Sequence, residues 1–330
     1  MARPSPARHA VWVFALALSG TACTGPDSSA DRDPLPSWKD GAARTAILEF
    51  VARVTDPDSP GFVPPPDRVA VFDNDGTLII EQPLVQMEFV FDRVRALAAD
   101  HPEWAEKPAF QAVLANDQQA LGAMGFRGRG GLVNAAQGNV SQPDLRAAMR
   151  QFLATARHPR FDRPYPELVY QPMLELVGYL AARDFRVYVV SSGGIEFIRQ
   201  FSEDVYGIPR ERVIGSVMKY DLREVDGRLE VWRKPGFQGL NAGRFKALNI
   251  DRHIGRRPIL AVGNSDGDLE MLRYTDSVPG ALAVVLHHDD DAREYAYDTD
   301  AERALAAAQE RGWLVVSMAK DFGQMFPGDL

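Results

Sequence analysis

Two aspartates directly follow a short apolar run in the first third of the chain. Val69–Phe72 is apolar, and Asp73 and Asp75 come next, separated by one residue and followed by Gly76. Side chains two residues apart in an extended segment point the same way, so both carboxyl groups can face one pocket. Two carboxylates about 4 Å apart repel by roughly 4 kcal/mol at an effective dielectric constant of 20. A bound cation, or a proton on one of the two carboxylates, would relieve that repulsion. Alternatively, the two aspartates are simply polar residues at the end of a strand and have no chemical role.

Two further strand candidates also end in polar, glycine-rich segments. Ser192 and Gly193 precede a helical pattern, and a small hydroxyl with bare backbone amides at a helix start suits a phosphate group. Asn264, Asp266 and Asp268 crowd the turn after a later strand. Hard oxygen ligands at a strand end suit magnesium, which takes carboxylates together with waters and substrate oxygens. Which of these three residues would complete a metal site is open.

Two lysines are candidates for the cation that stabilises a transferring phosphoryl group. Lys246 lies in a helical segment upstream of the acidic turn, and Lys234 lies in the segment WRKPGF. A lone lysine on a helix is usually solvated, so the case for Lys246 depends on its position upstream of the acidic turn, and Lys234 stays open as the alternative.

These motifs occur in one order: D-x-D-G-T, S-G-G, lysine and G-N-x-x-G-D. In that order they resemble the haloacid dehalogenase-like phosphohydrolase superfamily, in particular its phosphoserine phosphatase-like branch. The resemblance implies Asp73 as a nucleophile that forms an aspartyl-phosphate and Asp75 as the general acid and base. It also implies that Ser192 and Gly193 bind the phosphate, and that Lys246 steadies both the nucleophile and the phosphoryl charge.

The same resemblance implies Mg²⁺ as cofactor, held by Asp73, the main-chain carbonyl of Asp75, Asn264 and Asp268. The branch usually has aspartate at the position of Asn264, so the ligand set is open. The expected activity is magnesium-dependent hydrolysis of a small phosphorylated metabolite. A phosphoserine-like substrate is one candidate, but Glu81 is offset by one residue from the glutamate that follows the first motif in that branch, so a specificity for phosphoserine does not follow.

Two other functions are compatible with the fold. The first is another reaction of the superfamily, such as dehalogenation or phosphonate cleavage; dehalogenases do not need a second aspartate, so Asp75 favours phosphoryl transfer. The second is a non-catalytic binding lipoprotein. The presence of all four motif residues, Asp73, Asp75, Ser192 and Lys246, argues against it.

Two further pairs of residues have simpler interpretations. Arg127 and Arg129 could recognise a second anionic group of a substrate, although solvated loop arginines fit their sequence context better. His287 and His288 end a strand candidate, and we expect both at the surface.

The elements that must position these residues form an α/β pattern. Strand candidates at 69–72, 186–191, 258–262, 281–286 and 313–318 are apolar on both faces and alternate with helical patterns. This predicts a Rossmann-like parallel sheet covered on both sides, with ligands at the carboxyl ends of the strands. Asp226 and Gly227 predict a hairpin turn.

The long gap between the first two strands predicts an inserted helical cap at 84–163. The α/β core is then formed by 67–83 and 164–330, and 23–66 forms a polar tether followed by a helix at 38–54. Because the insert leaves directly after the first strand, we expect it to cover the paired aspartates.

The N-terminus and the overall charge restrict location and partners. Residues 1–22 have two arginines followed by a short apolar run, typical of a signal peptide, and Cys23 follows small residues. This resembles a lipoprotein signal, which implies export, acylation of Cys23 and a periplasmic outer-membrane anchor; ordinary secretion with a free Cys23 is the alternative.

The net charge of −8 argues against nucleic acid as a partner. The oligomeric state is not indicated.

Overall fold

One seven-stranded sheet organises residues 33–329, the part of the chain that the computed structural model describes. Its strands are β1 (Val69–Phe72), β2 (Arg186–Gly194), β3 (Val213–Val225), β4 (Arg228–Gly239), β5 (Leu260–Gly263), β6 (Leu282–His287) and β7 (Leu314–Ser317). They lie in the order β4-β3-β2-β1-β5-β6-β7. All neighbours pair in parallel except β3 and β4, which form an antiparallel hairpin.

Thirteen α-helices connect and cover the strands in this part of the chain. They are α1 (Ala42–Thr55), α2 (Val85–Leu97), α3 (Pro108–Leu114), α4 (Gln118–Gly122), α5 (Phe126–Gln137), α6 (Gln142–Thr155), α7 (Gln171–Ala181), α8 (Ile195–Ile198), α9 (Ser202–Tyr206), α10 (Arg244–Ile254), α11 (Leu269–Asp276), α12 (Glu302–Arg311) and α13 (Met318–Asp321).

The central strand β1 is buried on both faces. Val69 and Val71 pack in a cluster with residues of α10, α11 and α12, whereas Ala70 and Phe72 pack in a second cluster with residues of α1 and α7. Side chains alternate between the two faces of a strand, so helices on both sides require every residue of β1 to be apolar. The predicted Rossmann-like α/β fold is therefore confirmed.

The hairpin formed by β3 and β4 is longer than the sequence indicated. Its turn is at Asp226 and Gly227, as predicted, and both residues have positive φ, 50° and 75°, as the tight hairpin turn requires. The N-terminal half of β3 pairs in parallel with β2, and the rest of β3 pairs only with β4. The hairpin thus extends beyond the sheet core.

The segment between the first two strands is helical, with α2 to α6 and no strand among its described residues. Residues of α2, α3, α4 and α5 form an apolar cluster of their own. Leu145, Met149 and Phe152 of α6 pack into the main core instead, as do Val85 and Phe89 of α2. The boundaries of the cap, 84–163, remain a prediction, since part of this insert shares the core of the sheet.

No helix within residues 33–329 is both long and apolar enough to cross a membrane. The predicted signal peptide at 1–22 and Cys23 lie outside the described residues.

Candidate active site

The carboxyl ends of β1, β2 and β5 meet at the centre of the sheet. The strand order changes direction here, because the chain passes from β1 to β2 on one side and later to β5 on the other. Such a switch point opens a crevice for ligands. Asp73 and Asp75 follow β1, Ser191 and Ser192 lie at the end of β2, and Asn264 follows β5. The fold therefore brings the sequence-predicted motifs together.

The turn after β1 depends on Gly76. Its φ is +75°, and a Cβ there would lie 2.1 Å from Nδ2 of Asn264 and 2.7 Å from Oε2 of Glu81. A side chain at position 76 is thus excluded both by conformation and by space. The hydroxyl of Thr77 donates to Oδ1 of Asn264 at 2.9 Å, which connects the β1 turn to the end of β5.

Lys246 lies between two carboxylates. Its Nζ is 2.7 Å from Oδ1 of Asp73 and 2.6 Å from Oδ1 of Asp268, and its side chain is 1% exposed. Lys234 instead lies on the hairpin, half exposed and 3.6 Å from Asp221. The structure thus places Lys246, and not Lys234, beside Asp73.

The two aspartates of the acidic turn have internal partners. Oδ2 of Asp268 accepts from the backbone N–H groups of Asn264 and Ser265 and from the Ser265 hydroxyl, and Oδ1 accepts from Lys246. These four bonds use the acceptor capacity of a carboxylate. Asp266 accepts from a backbone N–H of α12. Asp268 thus orients Lys246 and the turn, and Asp266 binds a backbone N–H in the first turn of α12. Asp268 as a metal ligand stays a prediction.

Burial changes the acidity of both aspartates after β1. It raises the pKa of Asp73 well above the ordinary value, the Asp268 carboxylate adds to this rise, and the ammonium of Lys246 opposes it. Burial also raises the pKa of Asp75 to about 6, opposed by the neighbouring Asn74 side chain and by the ammonium of Lys246. Oδ1 of Asp75 is buried without a hydrogen-bond partner. A carboxyl group with this pKa can donate or accept a proton near neutral pH.

A third carboxyl group, Glu81, faces the same cavity. Its Oε2 accepts from the hydroxyl of Tyr297 at 2.7 Å and from Nδ2 of Asn264 at 3.1 Å. Burial raises its pKa to about 7, which the Tyr297 hydrogen bond opposes. Tyr297 comes from a segment far along the chain, so the sequence alone gave no sign of this pairing.

The expectation that His288 lies at the surface is wrong. Its side chain is buried, with Nε2 2.7 Å from the carbonyl oxygen of Gly76 and Nδ1 3.1 Å from Glu294. Through its contact with Gly76, His288 therefore helps to hold the turn after β1 in place. His287 is partly exposed, as expected, and lies 2.7 Å from Asp298.

The end of β2 presents hydrogen-bond donors to the cavity. Ser192 is exposed and Ser191 is buried, and both line the cavity with Gly193. Oγ of Ser191 accepts from the N–H of Gly193 at 2.9 Å, so Ser191 is a second candidate beside Ser192. Gln86 of α2 accepts from the N–H of Gly194, while its Nε2 is buried without a partner. A Cβ at Gly193 would lie 2.2 Å from that Nε2, so glycine is required where α2 meets β2.

The cavity above these groups has a volume of about 330 Å³. Its floor is the carboxyl edge of the sheet, and its walls come from α2, α5 and the β3–β4 hairpin. Residues of the insert thus line the cavity together with the paired aspartates, and so do residues of the hairpin, which the sequence did not indicate. Neither Arg127 nor Arg129 lines the cavity; the arginine that does is Arg233 of β4.

The oxygen groups of this site fit a magnesium ion. Within residues 33–329, no three side chains of His, Cys, Asp or Glu are close enough to form a metal site by themselves. Magnesium, however, often takes only one or two carboxylates and completes its shell with waters and substrate. Asp73, Asp75 and the amide oxygen of Asn264 meet at adjacent strand ends, and the unpartnered oxygen of Asp75 leaves acceptor capacity unused. The carboxyl groups also outnumber the one buried ammonium, that of Lys246.

Comparison with known proteins identifies the family. The model of haloacid dehalogenase-like hydrolases matches residues 70–273, more than half of the chain. The chain belongs to the haloacid dehalogenase-like hydrolase family. The match includes the paired aspartates, the β2 terminus, Lys246 and the acidic turn. A comparison with curated protein sequences found no significant match.

Several solved structures are similar to this chain in fold. A functionally unknown protein from Anaerococcus prevotii DSM 20548 is 14% identical with a TM-score of 0.56, over 89% of this chain and 98% of that one. A protein of unknown function from Bordetella pertussis Tohama I is 16% identical with a TM-score of 0.51, over 76% and 97%. A probable phosphoserine phosphatase from Vibrio cholerae is 17% identical with a TM-score of 0.40, over 75% and 59%. At these identities, the first two likenesses concern the fold alone.

Proposed function

We propose that this protein is a magnesium-dependent phosphomonoesterase that acts through an aspartyl-phosphate on Asp73. One observation carries the proposal: Asp73 and Asp75 line the same cavity. Oδ1 of Asp73 lies 2.7 Å from the ammonium of Lys246, and burial raises the pKa of Asp75 to about 6. A nucleophile and a neighbouring acid of this kind suit the transfer of a phosphoryl group from an alcohol.

The first step transfers the phosphoryl group to the protein. A carboxylate oxygen of Asp73 attacks phosphorus and forms a new O–P bond, while the bond from phosphorus to the ester oxygen breaks. Asp75 donates its proton to that oxygen, and the alcohol leaves. The ammonium of Lys246, beside the attacking carboxylate, stabilises charge on the phosphoryl oxygens. The donors at the end of β2 and Nε2 of Gln86 hold those oxygens.

The second step returns Asp73 to its free form. A water molecule attacks phosphorus, Asp75 takes its proton, and the bond between phosphorus and the Asp73 oxygen breaks, which releases phosphate. Magnesium bound by Asp73, the main-chain carbonyl of Asp75 and Asn264 would supply positive charge to the nucleophile and to the phosphoryl oxygens.

A panel of phosphomonoesters tests this proposal, with phosphate release measured in Mg²⁺ and in excess chelator. We expect release that requires Mg²⁺, and a loss on the order of 10³-fold or more in Asp73→Asn, which removes both the nucleophile and a ligand. Full steady-state activity of Asp73→Asn, or activity indifferent to the chelator, would contradict the proposal.

A further inference from the structure

The cavity has an apolar wall that a phosphate group does not need. Side chains from the cap and the hairpin form it: Met87, Val90, Val133, Met218, Phe237 and Leu240. The polar groups of the catalytic end lie on the sheet edge, so the organic part of a bound phosphomonoester would lie against this wall. Small-molecule sites commonly combine such apolar walls with a few polar groups that fix orientation.

One charged group interrupts the apolar wall. Arg233 of β4 lines the cavity and is only 2% exposed. Its Nη1 donates to Oε1 of Gln137 at 2.6 Å, and its Nε donates to Oε1 of Gln142 at 3.0 Å. Both partners are neutral amides, and no carboxylate of residues 33–329 forms a salt bridge with this guanidinium. The Glu196 carboxylate acts on Arg233 only at longer range and is in direct contact with Arg146 and Arg199. A positive charge is thus fixed at the cavity without a carboxylate of the described residues in direct contact with it.

The surroundings of Arg233 hold it in place for a ligand. The backbone N–H of Arg233 donates to the carbonyl of Val140, and its carbonyl accepts from the N–H of Asn139, so β4 is tied to the loop between α5 and α6. Burial lowers the pKa of Arg233, which Tyr220 opposes, yet an arginine remains protonated in proteins. Buried charges are normally paired, and an anion entering the cavity would supply the missing partner.

We propose that the substrate is a phosphomonoester whose organic part is largely apolar and carries a second anionic group, which Arg233 binds. This inference rests on the proposed function and names its substrate class. A phosphorylated amino acid as small as phosphoserine would leave most of the apolar wall uncovered. A longer ester would cover the wall and reach Arg233 with its second charge.

The test uses two series of alkyl monophosphates of increasing chain length, one ending in a methyl group and one in a carboxylate. For wild type, we expect kcat/KM to favour the carboxylated ester by about 10- to 100-fold at one chain length, the range that hydrogen bonds to charged groups produce. Arg233→Met should abolish most of that preference through KM, and Arg233→Lys should retain part of it. Arg223→Met is the matched control, because Arg223 lies on the same hairpin over Trp232 and outside the cavity; its preference should equal that of wild type.

Several outcomes would overturn the inference. If wild type hydrolyses the methyl-ended and the carboxylated ester equally well at every chain length, the inference is wrong, and no variant is needed to show it. Equal losses of Arg233→Met on both series would make Arg233 a structural residue that ties the hairpin to the cap. Weaker inhibition of Arg233→Met by inorganic phosphate would place Arg233 on the phosphoryl group itself. Thermal unfolding of each variant checks that it is folded.

Failure of the proposed function would be recognised separately. If no ester of either series is hydrolysed, calorimetric binding of the matching alkylphosphonates still compares wild type with Arg233→Met. A preference of wild type for the carboxylated phosphonate that Arg233→Met lacks would support the inference alone, and equal binding of both phosphonates would overturn it.

Discussion

Asp73 and Asp75 are chemically identical and adjacent, yet their contacts give them different roles. Asp73 is held by the ammonium of Lys246 at 2.7 Å, whereas Oδ1 of Asp75 has no hydrogen-bond partner and its pKa is about 6. The Lys246 ammonium favours the ionised nucleophile, against the burial and the Asp268 carboxylate that raise the pKa of Asp73, whereas the surroundings of Asp75 favour a group that exchanges a proton. Asp268 contributes indirectly to this difference, because it binds the ammonium of Lys246 and so orients it beside Asp73.

We predict that Asp75→Asn depends on the leaving group of the ester. p-Nitrophenolate leaves without a proton, whereas an alkoxide needs one, so the transfer step should slow by about 10²-fold or more on an alkyl phosphate and by far less on p-nitrophenyl phosphate. Rapid mixing should give a burst of nitrophenol followed by slow turnover, because hydrolysis of the intermediate also lacks its base. Asp266→Asn is the control, since Asp266 faces α12. Equal losses on both esters would remove the acid role of Asp75.

The sequence identified the residues that lie directly at strand ends and missed those that reach the site from elsewhere. Asp73 and Asp75 belong to a local motif whose spacing indicates their chemistry, and Lys246 was indicated by its place in the order of the motifs. His288 and Arg233 carry no such signal, because their positions depend on how a late loop and the hairpin pack onto the site. A histidine after a strand and an arginine in a hairpin look the same in the sequence whether they are buried or solvated.

At the scale of elements, the five core strands were predictable because burial on both faces leaves a continuous apolar run. The extent of the β3–β4 hairpin was not, since only part of β3 pairs with the core and the rest depends on its antiparallel partner. The sequence also gave no indication that α6 and part of α2 pack in the main core while the rest of the cap helices form their own cluster. Both features depend on contacts between segments far apart in the chain.

Glu196 connects the cap to the core and makes stability depend on pH. This side chain of α8 is 3% exposed and accepts from Arg146 of α6 at 2.8 Å and from Arg199 at 3.0 Å. Burial would raise its pKa, but the two arginines overcome this and lower it. A folded-state pKa below the unfolded value contributes stability above the unfolded value, about 4.5, and that stability is lost as the pH falls through the folded value.

We therefore expect Glu196→Gln to lower the free energy of unfolding at pH 7 by about 1–3 kcal/mol, the range for hydrogen bonds to charged groups. The difference from wild type should shrink as the pH falls below about 4.5, where wild type also loses the charge. Urea unfolding at pH 7 and at pH 4 measures both values, with Glu203→Gln, an exposed position in α9, as control. A difference that does not change with pH would show that the charge of Glu196 contributes nothing.

At the scale of the whole molecule, we propose that the chain is exported and anchored through an acylated Cys23, facing the periplasm from the outer membrane. Stable anchoring takes two or more acyl chains, and here they would all be attached at one residue. Cys23→Ser should therefore partition into the aqueous phase of a detergent extraction while wild type partitions into the detergent. Equal partitioning of the two would contradict the anchor, and its loss should leave phosphatase activity intact.

The most direct test of the covalent mechanism is to find the phosphoryl group on Asp73. Asp75→Asn should accumulate the intermediate, because its nucleophile remains and its base is lost. The variant is mixed with p-nitrophenyl phosphate and Mg²⁺, quenched in acid within the burst, digested and mapped by mass spectrometry, with Asp73→Asn treated in parallel. The account predicts one phosphoryl group on the peptide that contains Asp73, removed by alkali and absent from Asp73→Asn. A burst of nitrophenol with no modified peptide, or with the phosphoryl group on another residue, would contradict it.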